Sequence, residues 1–189
     1  MSAPDPLPVE INMAAQRGEL QKVVKWLRKG GCVDAVYSGM TSNRQASTFF
    51  LLHTAANFGH LEMLRVLLRR GATVDLPTSF GVTALMTAAN NGQLPTLHIL
   101  LQHSANIGLQ DRYGMSSLMM AASQGHEACV KALLCAKSNT ELFDHNGRTA
   151  LQLAEDHGFT ATVSLMRQHM APPQPAAISP AAPLEAGEP

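Results

Sequence analysis

Eight histidines and three cysteines are the side chains of this chain best suited to holding a metal or moving a proton. His126, Cys129 and Cys135 fall on one expected helix, and a zinc site needs such donors to converge tetrahedrally. Cys129 and Cys135 are six residues apart and point to different faces of that helix, so they cannot close a site together. Cys129 reads instead as a small buried hydrophobe. Asp144-His145 and Asp156-His157 have the composition of acid–base pairs. Neighbours in sequence do not face each other on a helix, however, and no nucleophile on a strained turn accompanies either pair. No glycine-rich loop with a lysine follows a strand to cradle phosphate, and the pattern holds essentially no strands. The sequence therefore predicts no enzyme, no cofactor and no metal.

Fourteen Lys and Arg balance fourteen Asp and Glu, which argues against a nucleic-acid binder relying on phosphate neutralisation. The balance is uneven along the chain: residues 1–70 carry nine basic against five acidic side chains, and residues 71–189 carry five against nine. This mild polarity can orient a partner but does not identify one. An odd number of widely spaced cysteines gives no disulfide framework and fits a reducing compartment. The start, Met1-Ser2-Ala3-Pro4-Asp5-Pro6, lacks the features of a signal peptide, and no apolar run approaches the roughly 20 residues a bilayer requires. The expectation is a monomeric cytoplasmic or nuclear domain with no membrane contact.

What must position any functional residue is a repeat. Gly59, Gly92, Gly125 and Gly158 are each 33 residues apart, and so are Gly81, Gly114 and Gly147. Ala55-Ala56, Ala88-Ala89 and Ala121-Ala122 precede the first three, and Ala14-Ala15 with Gly18 repeats the pattern 41 residues upstream, which is one period plus eight. Each unit opens on a turn glycine, and a hydroxyl (Thr83, Ser116 or Thr149) follows two residues later to cap a helix. Thr149 and Gln152 have capping-box spacing. The next glycine stops that helix, and a second follows with apolar residues three and four apart, as in Leu61, Leu64, Leu67 and Leu68. Pro95 falls in a first turn, where its missing N–H does little harm. Met63, Met86 and Met119 read as core filler, whereas Met115 follows a turn glycine in a projecting segment.

These units resemble the ankyrin repeat family over about residues 8–170. The family's Thr-Pro-Leu-His-x-Ala-Ala signature is matched by Phe50-Leu51-Leu52-His53-Thr54-Ala55-Ala56 and Thr83-Ala84-Leu85-Met86-Thr87-Ala88-Ala89. Ser116-Ser117-Leu118-Met119-Met120-Ala121-Ala122 and Thr149-Ala150-Leu151-Gln152-Leu153-Ala154 follow it, and Val9-Glu10-Ile11-Asn12-Met13-Ala14-Ala15 is a degenerate copy. The resemblance implies an all-α solenoid of helix–turn–helix units with projecting β-turn fingers. Only His53 keeps the family's histidine, which ties neighbouring turns; with Met86, Met119 and Gln152 in its place, later fingers are expected to rely more on packing.

The expected repeats are about 8–35, 47–77, 80–110, 113–143 and 146–170, with an insertion at about 36–48 in the first finger. Lys22 and Lys25 stand where inner repeats carry Met63 and Val66, and Arg167 and Glu155 break the pattern of the fifth. These read as polar caps of a complete five-repeat array. Residues 1–7 are expected to be flexible, and residues 171–189, with six prolines and six alanines, to be a disordered tail. The insertion reads equally as a functional loop or a tolerated surface one.

The family resemblance implies that fingers and first helices line a concave groove that contacts a protein partner. The matching finger positions here are Ser79, Phe80 and Val82; Arg112, Tyr113 and Met115; and His145, Asn146 and Arg148. From the first helices come Asn57, Phe58, Asn90, Asn91, Ser123, Gln124, Asp156 and His157. Exposed Phe80, Tyr113 or Met115 would gain nothing for folding, and aromatics with arginine are what interface hot spots use. The leading expectation is a non-catalytic adaptor, scaffold or stoichiometric inhibitor. The alternative is a regulatory subunit or fragment of a larger complex, or a small-ligand or nucleic-acid binder.

Overall fold

The computed structural model describes residues 6–40 and 46–170. Five helix pairs follow one another: α1 (Val9–Gln16) with α2 (Leu20–Arg28), α3 (Leu51–Phe58) with α4 (Leu61–Arg69), and α5 (Ala84–Asn90) with α6 (Leu94–Gln102). Then come α7 (Ser117–Ser123) with α8 (Glu127–Cys135), and α9 (Ala150–Asp156) with α10 (Thr160–Met170). The first helices of the pairs stack in one row and most of the second helices in another, with the contacts between inner first helices the most extensive of those between helices. The cause is in the sequence. Ala55, Ala56, Ala88, Ala89, Ala121 and Ala122 are all wholly buried and let backbones come near, while the outer row packs through Leu64, Leu67, Leu97, Leu100 and Leu133. Burying each such leucine stabilises the fold by about 1.5–3 kcal/mol.

Caps and ladders set the register. Thr83, Ser116 and Thr149 each accept a hydrogen bond from the backbone N–H three residues on. Gln152 returns the bond by accepting from Thr149 N at 2.9 Å, the expected capping box. The sulfurs of Met86 and Met119 take the same place over the Thr83 and Ser116 amides at 3.4 and 3.5 Å. Between repeats, Asp34 accepts from Thr73 N and Oγ1, and Asp75 accepts from Asn106 N at 3.0 Å. His60 and His126 donate from Nε2 to the Gln16 and Asn90 carbonyls, both at 3.0 Å. Gly92 shows why glycine ends a first helix: its φ is +65°, and a Cβ there would lie 2.8 Å from the His126 ring.

Two expectations fail here. The segment read as strandless holds an antiparallel hairpin, β1 (Val36–Met40) with β2 (Ala46–Phe50), in register from Val36↔Phe50 to Met40↔Ala46. Val36, Tyr37, Thr48 and Phe49 favour a pleated strand, but the polar, glycine-containing stretch between them masks the alternation. The N-terminal boundary also moves. Pro6 bridges to Val36 in parallel, Leu7 N donates to Val36 O at 2.7 Å, and the Leu7 side chain is buried, so Pro6 and Leu7 are docked. The expected flexible residues 1–5, the insertion's residues 41–45 and the tail 171–189 lie outside the described residues. At the opposite end, Arg167 and Glu155 pair with each other at 2.6 Å. As expected, Met63, Met86, Met119 and Cys129 are buried.

Candidate protein-binding surface

The fingers form a continuous ribbon along one side of the stack. Each is closed by the residue at its base. Thr78 Oγ1 accepts from Phe80 N and Val82 N; Asp111 Oδ1 from Tyr113 N and Met115 N; and Asp144 Oδ1 from Asn146 N and Arg148 N. These three bases are 33 residues apart. Backbone bonds join finger to finger, with Arg112 N donating to Phe80 O and His145 N to Tyr113 O, each at 2.9 Å. The hairpin joins the ribbon where Ser79 N donates to Thr48 Oγ1 at 2.8 Å and Thr48 N to Ser79 Oγ at 3.3 Å.

On this ribbon the Arg112 guanidinium carbon lies 4.6 Å from the Phe80 ring centroid and 5.5 Å from that of Tyr113. Arg112 itself is exposed, Phe80 is half-buried, and Tyr113 is 52% exposed. Aromatic faces attract a guanidinium, so the contact favours this arrangement by about 0.5–1 kcal/mol at an exposed site. The next finger adds Phe143, 59% exposed, which the sequence reading missed. Phe143 precedes the turn motif instead of sitting within it, and that is why the tip positions did not single it out.

Along the first helices, Phe58 is 49% exposed and its ring stacks on that of His60 at 5.8 Å. Asn91 Nδ2 donates to Asn57 Oδ1 at 3.0 Å, tying two repeats together, while Asn90 and Gln124 remain exposed. Ser123 is half-buried and donates to Met120 O. His145 and Asn146 are exposed at the fourth tip.

Other residues read as tip contacts also make contacts within the fold. Met115, expected to project, is half-buried and packs on the core. Phe80 is likewise only half open. The Val82 carbonyl accepts from Nε2 of buried His53 at 2.9 Å, the histidine tie expected from the sequence. Burial holds His53 down to a pKa of about 4, although its bond to Val82 opposes that shift. Arg148 donates from Nε and Nη2 to Asp144 Oδ2 at 3.0 and 2.9 Å and approaches Asp156 at 3.6 Å. Burial raises the Asp144 carboxyl, but the Arg148 and Asn146 bonds outweigh it, and the net pKa is lowered. Asp144 therefore serves its own finger, not His145. The His157 ring bonds Leu153 O at 2.8 Å and stacks with Phe159.

No cluster of three or more His, Cys, Asp or Glu placed to hold a metal occurs among the described residues, and no described helix is long and apolar enough to cross a membrane. The architecture is thus that of a helical repeat solenoid bearing a ribbon of turns, a class that presents side chains on an extended surface. A family model of ankyrin repeats (3 copies) matches residues 11–111 and 103–175, and the chain belongs to the ankyrin repeat family. No curated protein matches the chain closely enough to serve as a relative. Ankyrin repeats generally mediate protein–protein interaction, and the family is typically non-catalytic.

Proposed function

We propose that this protein is a non-catalytic adaptor, scaffold or stoichiometric inhibitor that holds a protein partner against its fingers and first helices, centred on the third and fourth repeats. The observation that carries this reading is the stack of Arg112 between Phe80 and Tyr113. Tyrosine and arginine dominate binding energy where they are held in place, since little freedom is then lost on association. The Asp111 cap and the bond from Arg112 N to Phe80 O provide that hold. Phe58 and Phe143 extend the same apolar character along the surface.

The test is capture of the partner by the intact protein compared with an Arg112→Ala/Tyr113→Ala variant. Removing a hot-spot side chain costs at least about 2 kcal/mol, so the double variant should bind well over tenfold more weakly. Its fold should survive, because Arg112 and Tyr113 are exposed. Arg69→Ala and Lys131→Ala, on second helices, should leave binding nearly intact. Loss with Arg69→Ala and retention with the double variant would move the binding surface to the opposite side.

A further inference from the structure

The N-terminal end of the stack presents a second surface, separate from the fingers. In the second repeat, Leu51, Thr54, Met63 and Leu67 are all buried. The offset of 41 residues maps these positions onto Glu10, Met13, Lys22 and Trp26 in the first repeat. Among the described residues no element covers them, and they line a groove of about 460 Å³ between α1 and α2.

The groove is apolar at its floor and cationic at its rim. Met13 is 44% exposed, and Trp26 and Ile11 are half-buried. Around them stand Arg17, Lys22, Lys25 and Lys29, opposed by Glu10 and Glu19. Glu19 is occupied by Lys22 and lies 3.8 Å from Arg17, whereas Lys25 and Lys29 form no ion pair among the described residues. The groove keeps a thioether exposed and an indole half-open beside four cations and two carboxylates, a net positive rim that complements an apolar stripe flanked by carboxylates.

We infer that this groove docks an acidic amphipathic helix of a partner protein. The occupant is helical because the equivalent faces inside the stack are built to receive helices. Its apolar stripe meets Met13 and Trp26, and its carboxylates meet Lys25, Lys29 and Arg17. The chain's own residues 171–189 are poorly suited, since six prolines bar a helix. A second copy would bring the same cations against these.

Trp26 is the sole tryptophan, so its emission reports the groove without a label. The probe is a capped synthetic peptide of about 20 residues with leucines three and four apart on one face and alanine and glutamate elsewhere. It should shift Trp26 emission saturably to the blue, and the affinity should fall about tenfold as salt rises and screens the charges. The same peptide with lysine for glutamate should not bind. Lys25→Glu/Lys29→Glu, confirmed folded by circular dichroism, should weaken binding at least about tenfold, because like charges then face each other. Arg112→Ala/Tyr113→Ala should bind the peptide normally, which separates this site from the finger surface. An unchanged emission at millimolar peptide, equal binding of the lysine peptide, or full binding by Lys25→Glu/Lys29→Glu overturns the proposal. So does a shift produced by deleting residues 171–189 alone, which makes the tail the occupant. A response to phosphatidylserine vesicles but not to the peptide overturns it in favour of a lipid surface.

Discussion

Lowering the pH should destabilise this protein through His53 in an amount that can be worked out. The ring is 4% exposed, donates from Nε2 to Val82 O at 2.9 Å, and has no partner at its buried Nδ1. Its folded pKa of about 4 lies below the unfolded value near 6.5, so the unfolded chain takes up the proton first. The stabilisation is therefore fully present above pH 6.5 and is lost as pH falls from there toward about 4. A gap of about 2.5 pH units corresponds to roughly 3 kcal/mol at the limit, most of which should be gone by about pH 4.5. With a urea slope of about 2 kcal/mol/M, the midpoint should drop by roughly 1 M between about pH 7.5 and 4.5 from this group alone. Carboxylates contribute their own acid dependence, which is why the informative quantity is the difference between the wild type and His53→Gln. The glutamine keeps an N–H donor but does not titrate, so its loss over the same range should be smaller by roughly 2 to 3 kcal/mol. Equal losses in the two proteins, or a His53 NMR titration centred near 6.5, would refute the reasoning.

Gly92→Ala combines a φ of +65° with a Cβ 2.8 Å from the His126 ring, so it should cost about 1–3 kcal/mol by urea denaturation. Gly30→Ala, with φ +93° but nothing within 4 Å, isolates the backbone part of that cost and should lose less. Asp144→Asn removes the charge that two Arg148 nitrogens share and should cost about 1–2 kcal/mol. Faster amide exchange at Asn146 and Arg148, with little change at Tyr113, would place that loss in the fourth finger.

The periodic parts of this fold were legible because each repeat performs the same local task with similar residues. Glycines 33 apart and hydroxyl caps read directly as helix ends, and the alanine pairs marked the same helix in each unit. What the residues' spacing hid was how the fingers close. Asp111 and Asp144 repeat in register, yet Thr78 does the same work in the finger before them, so no single residue type marks the position. The hairpin was hidden for a different reason, because its strands gain from pairing with each other and with Pro6 and Leu7, contacts no local window contains. Among the candidate contact residues, side-chain direction was the missing variable. Met115 and Tyr113 are two residues apart in the same turn, and one packs on the core while the other meets solvent.

That divergence bears on why a finger is a good place to put a binding residue. A loop tip free to fluctuate loses conformational entropy when a partner orders it, and about 0.5–1.5 kcal/mol per side chain can offset what the contact provides. Here the folding contacts have already ordered the tip. Met115 anchors one side of the third finger to the core, Asp111 closes the turn, and Phe80 holds the Arg112 guanidinium from the neighbouring finger. Tyr113 then stands on a fixed base with half its surface open. The fourth finger orders its tip differently, by drawing Arg148 inward onto Asp144, which leaves His145 and Asn146 outward with the exposed Phe143 at the finger's base. On the proposed reading, the third finger supplies the binding energy and the fourth chiefly fixes where the third can point. Exchanging the two four-residue tips, Arg112-Tyr113-Gly114-Met115 and His145-Asn146-Gly147-Arg148, should therefore weaken partner capture, because the transplanted arginine loses Phe80; capture at full strength by the exchanged protein would refute this division of labour.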